Sequence, residues 1–205
     1  MCRRSVSLLL LGALSAAQAG NFEDGVRHLD AMAYVKAAAA FRLAAAEGNA
    51  GAERQLGFMY YKGMGFKQGD VEAVTWFEHA AAHGDLQSQI NLGQMYENGL
   101  SVAQSDSRSA HWYRMAAEQG DRRSQFRFGE ICYLGTGVPQ DGAEAVKWWR
   151  LAMRIDDHET ARMRVMVEAP LLKTPPEVHA EGQRRANAWL AARSSNSSQY
   201  TPGTR

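Results

Sequence analysis

Two histidines, His79 and His83, stand four residues apart in FEHAAAHGDLQSQINLGQMY (77–96). On a helix that spacing puts both rings on one face, as a zinc pair requires. The HExxH arrangement of a metalloprotease needs glutamate directly after the first histidine. Here Glu78 precedes it, and no third ligand stands out along the chain. GMG at 63–65 and GTG at 135–137 resemble pieces of phosphate-cradling loops, yet each follows a helical pattern instead of a strand. Asp24, Glu53, Glu97 and Glu130 offer carboxylates, but none recurs with a partner in the way acid–base catalysis would use.

The histidine spacing has a simpler origin in the elements that carry it. Shifted by 36 residues against itself, the chain aligns 50–85, 86–121 and 122–157 without a gap. His79 then takes the slot of Met115 and Leu151, and His83 that of Gln119 and Ile155, so the pair inherits its spacing from a repeated helix. A period of this length marks a solenoid. In each unit a first helix carries Leu56/Leu92/Phe128, Met59/Met95/Ile131 and Tyr60/Tyr96/Cys132 at offsets of three and four, one buried stripe. Gly57, Gly93 and Gly129 recur inside that helix, where glycine costs about 1 kcal/mol against alanine, which points to a close helix approach. A glycine turn at 63, 99 and 135 follows. The second helix starts near Asp70, Asp106 or Asp141 as cap and buries Trp76/Trp112/Trp148, Phe77/Tyr113/Trp149 and Ala80/Ala116/Ala152. Gly84 and Gly120 end it in the left-handed conformation, and Asp85 and Asp121 cap the next unit.

The flanks read as caps of the array. Residues 20–49 form a degenerate first unit whose second helix runs from Val35 to Asn49, and 158–193 form closing helices. TPPE (174–177) reads as a capping box of Thr174 with Glu177, with Pro175 as first helical residue. The last helix should turn Val178, Ala186, Trp189 and Leu190 inward and Arg184, Arg185 and Arg193 outward. The polar stretch 194–205 reads as a disordered tail.

Bulk composition narrows the setting. With 205 residues, 45% of them hydrophobic, the chain can bury a core, and five prolines with no alternating Val/Ile runs favour helices. Residues 1–19 join Arg3 and Arg4, an apolar run and the small-x-small ending Ala17–Gln18–Ala19, the pattern of a secretory signal peptide cut after Ala19. The run is too short for a membrane span; export through the twin-arginine route stays open beside the general one. Removing Arg3 and Arg4 leaves 21 basic against 22 acidic residues, no electrostatic basis for nucleic-acid binding. Cys132 is then the one cysteine, so no intramolecular disulfide forms and the thiol reads as a small buried residue.

Leu56–Gly57, Tyr60, Gly63, Gly65, Asp70, Ala73, Trp76, Ala80–Ala81 and Gly84 follow LG-x-x-Y-x-x-G-x-G, Asp, then A-x-x-W-x-x-x-A-A-x-x-G. This pattern resembles the SEL-one-like repeat (SLR) family, a branch of the tetratricopeptide-like (TPR-like) solenoids. The resemblance implies an all-α, right-handed α-solenoid of helix-turn-helix repeats, with first helices lining a concave groove. A cysteine-rich branch is described as binding β-lactams through proteins with a cysteine pair in each repeat; this chain lacks those pairs.

The resemblance also implies a non-enzymatic protein–protein interaction module; the leader pattern places it in the periplasm or outside the cell, and the residues themselves point to no cofactor and no metal. The partner would be an envelope complex served as scaffold or regulator, or a secreted effector, such as a phospholipase, neutralised by an immunity protein. A cell-wall hydrolase on the same scaffold is the alternative. The groove should be lined by first-helix residues turned from the stripe. They are Arg54, Gln55, Phe58, Tyr61 and Lys62; Ile90, Asn91, Gln94, Glu97 and Asn98; Phe126, Arg127, Glu130, Tyr133 and Leu134. They differ between repeats while the stripe persists, and their aromatic, arginine and amide character suits protein recognition.

Overall fold

The computed structural model describes residues 20–198, so the leader pattern at 1–19 lies outside the described residues. The described residues are helices joined by short turns, an α-solenoid of helix pairs, in two compact units divided between Gln104 and Ser105.

The first unit holds α1 (20–30), α2 (Tyr34–Ala46), α3 (Ala50–Lys62), α4 (Asp70–Ala82) and α5 (Leu86–Asn98). Consecutive helices pack on one another from α2 to α5. Their core joins Phe41, Leu56 and Met59 to alanines of α2, with Phe22 and Trp76 against it. The second unit holds α6 (Asp106–Gln119), α7 (Arg122–Leu134), α8 (Gly142–Ala152), α9 (His158–Leu172) and α10 (Pro176–Ser198). Trp148 and Trp149 are the largest side chains fully buried there, among Phe128, Ile131, Cys132, Met163 and Val167.

Local chemistry explains where the elements stop. Asn49, Asp85, Asp121 and Asp157 each accept a hydrogen bond from the backbone N–H three residues on, at 2.7 to 2.9 Å, and so cap α3, α5, α7 and α9. Gly63, Gly99 and Gly135 close the first helices with φ near +70° (69°, 66° and 72°), a region that favours glycine. A methyl placed on Gly57 would lie 2.9 Å from the Phe77 ring and 3.2 Å from the Ala73 carbonyl oxygen, so the recurring helical glycine does serve close approach.

Several local expectations need correction. The cap slot of the second helices is 69, 105 and 141: Ser105 and Asp141 accept from the N–H three residues on, Gly69 has no side chain to do so, and Asp70 and Asp106 are already the first helical residues. Trp148 is buried, but Trp76 and Trp112 are only half-buried. Helix α10 starts at Pro176, one residue later than expected, and Thr174 spends its hydroxyl on the Pro170 carbonyl of α9 at 2.9 Å instead of capping. Ala186, Trp189 and Leu190 do face the core. Arg185 and Arg193, expected outward, act as clamps. Arg185 bonds Asp141 at 2.8 Å, Glu181 at 2.9 Å and Glu144 at 3.3 Å, while Arg193 donates to the Glu118 carbonyl at the end of α6 at 2.6 Å. Helix α10 also continues past 193, where the Ser194 and Ser195 hydroxyls donate to the carbonyls of Ala191 and Ala192.

Candidate protein-binding surface

In the first unit, α3 and α5 bring part of the expected set together. Phe58 and Tyr61 are 44% and 36% exposed, large values for aromatic rings on a helix with a buried stripe. With Asn91 and Gln94 of α5 they line an open depression of about 220 Å³, floored by Phe77 and Met95 and closed by Leu100. Lys62 places its ammonium 5.1 Å from the Tyr61 ring centroid and 6.0 Å from that of Phe58, so one wall carries a cation beside two π faces. The Asn91 amide oxygen accepts from Gln87 at 2.9 Å, which orients it.

The remaining first-unit residues are more committed. Arg54 pairs with the cap carboxylate of Asp85 at 3.4 Å, and Asn98 donates to the Gln94 carbonyl. Gln55, Ile90 and Glu97 are half-buried. In the second unit Phe126 is only 7% exposed and belongs to the core, so it lines no open face. Arg127 pairs with Glu130 one turn on at 2.7 Å, Tyr133 packs against Trp149, and Leu134 is exposed. Sequence reasoning passed over Phe77, Met95 and Leu100. Met95 lies on the stripe of the first helix and Phe77 in the buried set of the second, and Leu100 stands just after the left-handed Gly99, a turn position with no helical periodicity to mark it.

The residues that suggested chemistry have structural partners. His83 Nδ1 lies 2.7 Å from Glu53 Oε2, a carboxylate buried to 3% exposure, while His79 tilts against Trp76. Among the described residues, no group of three His, Cys, Asp or Glu side chains is arranged to hold a metal ion. Burial pushes the Cys132 thiol up to about 12, far from a reactive thiolate at neutral pH. The surface therefore offers an apolar, aromatic recess with amides and a cation at its edge, suited to hold a side chain of another molecule.

Residues 50–85, 86–121 and 122–154 match the Sel1 repeat family. Among solved structures, the chain is similar to c5321, a protective antigen of uropathogenic Escherichia coli with an SLR fold. The two are 27% identical with a TM-score of 0.68, over 86% of this chain and 39% of that one. It is also similar to a Sel1 repeat protein from Oxalobacter formigenes, 27% identical with a TM-score of 0.66, over 78% of this chain and 48% of that one. The chain thus spans less than half the length of either. No curated protein sequence matches it significantly.

Proposed function

Because the chain belongs to the Sel1 repeat family, whose members are generally protein–protein interaction modules, we propose that it binds a protein partner through the recess on α3 and α5. The observation that carries this reading is the pair of open aromatics, Phe58 and Tyr61, facing Asn91 and Gln94. Exposed aromatics held on rigid helices lose little entropy on binding, and residues of this type dominate measured interface energies. The repeat family is typically non-enzymatic, and we assign the module no catalytic step.

The exported setting rests on the leader pattern at 1–19; among the described residues no helix is long and apolar enough to cross a membrane. In that setting the partner is an envelope component or a secreted effector. Affinity capture from periplasmic extract with residues 20–205 tests the reading, with Phe58→Ala/Tyr61→Ala as control. A specific partner should be retained and its binding should weaken at least about tenfold in the double variant. Equal retention by a folded double variant would move the binding surface elsewhere.

A further inference from the structure

Among the described residues, the second unit leaves one face of a helix uncovered. Helix α3 is covered by α4 and α7 by α8, but α10 packs on α8 and not along α9. Val165 stands 36 residues after Gly129, the position on which the Trp149 ring rests in the preceding helix pair. In α9 that slot meets no such ring, and Val165 is 73% exposed. Thr160, Met163 and Val167 form the buried side of the helix. On the opposite side Ala161, Val165, Ala169 and Leu172 are all exposed and recur at helical spacing, with Leu172 at 81%. Beside this stripe lies an open groove of about 510 Å³, lined by Met153, Val165, Leu171, Leu172 and His179, with Arg164 and Glu168 among its borders.

From this stripe we infer that α9 is a self-association surface, covered by α9 of a second copy of the chain in antiparallel, two-fold arrangement. The charges choose this occupant. Arg164 and Glu168 sit one turn apart on the same flank of the stripe, where a two-fold axis near Met166 sets Arg164 of each copy against Glu168 of the other, twice over. Among the described residues Arg164 pairs with Asp156, at 3.1 Å with side chains 58% and 85% exposed, a pairing too solvated to compete. The same axis brings Leu172 of each copy close to the level of Ala161 of the other and Val165 close to that of its own counterpart, and removes them from water.

Sedimentation velocity of the chain from 20 to 205, over about 1 to 100 μM, reads the result directly. The wild type should form a dimer within this range. Arg164→Glu sets like charges together twice and should weaken the dimer at least about tenfold, and adding Glu168→Arg should restore it. Val165→Glu/Leu172→Glu should be monomeric, with an unchanged helical circular dichroism spectrum. A wild type that stays monomeric overturns the inference, as does a dimer indifferent to these variants. So does a monomer whose α9 face retains a different protein that the Val165/Leu172 variant loses. Recovery in the charge-swapped double variant separates a broken interface from a broken fold.

Discussion

Ser88 and Ser124 occupy one slot, the third residue of a first helix, and both hydroxyls are buried with no hydrogen-bond partner among the described residues. Ala52 fills that slot in the first full repeat, and Thr160, which follows in α9, returns its hydroxyl to the Ile155 carbonyl. An unpaired hydroxyl in a core costs more than its absence. Ser88→Ala and Ser124→Ala should therefore be neutral to stabilising, by up to about 1 kcal/mol each in urea unfolding. The next slot tells a related story. Gln89 and Gln125 donate to the carbonyls of Ala81 and Ala117 at 3.0 and 3.2 Å, whereas Glu53 has no proton to give when ionised and turns to His83 instead. His83→Ala should cost about 1 kcal/mol, the low end because the ring is half exposed, and Glu53→Gln in that background should recover most of the loss. Equal effects of His83→Ala in both backgrounds would show that the pair is not coupled.

Between elements, the glycine contacts set the spacing. Alanine at 129 would gain about 1 kcal/mol of helix propensity but drive its methyl to 2.6 Å from the Trp149 ring. Trp149 is fully buried and cannot yield, so Gly129→Ala should be net destabilising by about 1 to 2 kcal/mol in thermal or urea unfolding. The clamp of α10 on α8 adds an acid-sensitive contact. Burial alone would raise the Asp141 carboxyl, but the hydrogen bonds from Arg185 and from the start of α8 outweigh it and hold the group below its usual value. Hydrogen bonds from Arg185, then Arg184, hold Glu181 down as well. A depressed carboxylate gives stability that is complete above its unfolded value, about pH 4, and is lost as pH falls through the folded one. Arg185→Gln should thus lower the melting temperature at pH 7 and converge on the wild type below about pH 3. Much of this layer was legible in the sequence, because a buried stripe at offsets of three and four and a glycine kept three times admit few packings. The cap slot was not: Asp70 and Asp106 repeat one position beyond Gly69 and Ser105, and a repeated aspartate imitates a cap. The arginine contacts of α10 are not legible in the sequence, because the 36-residue register ends before that helix and leaves no periodicity to say which helix its arginines face.

Across the whole molecule, the two proposed surfaces sit in different units and draw on different chemistry, so each can be removed alone. Phe58 and Tyr61 were legible as off-stripe aromatics, whereas the α9 surface follows from which helix α10 covers, a tertiary choice no single helix records. Phe126 marks the same limit: it shares its slot with Arg54 and Ile90, yet the bulk of Trp148 and Trp149 in its unit makes a core that reaches around it. Separate surfaces have a measurable consequence. Val165→Glu/Leu172→Glu should leave the one-to-one affinity for the captured partner within about twofold in solution, because no residue of the α3–α5 recess is altered. On a surface densely coated with that partner, the wild-type dimer engages two sites at once, and the monomeric variant should be retained about a hundredfold less tightly. Phe58→Ala/Tyr61→Ala should do the reverse, weakening solution binding while the dimer constant stays put. If one set of substitutions disturbs both readouts in chains that remain folded, the surfaces are coupled, and self-association through α9 is then part of how the recess is presented.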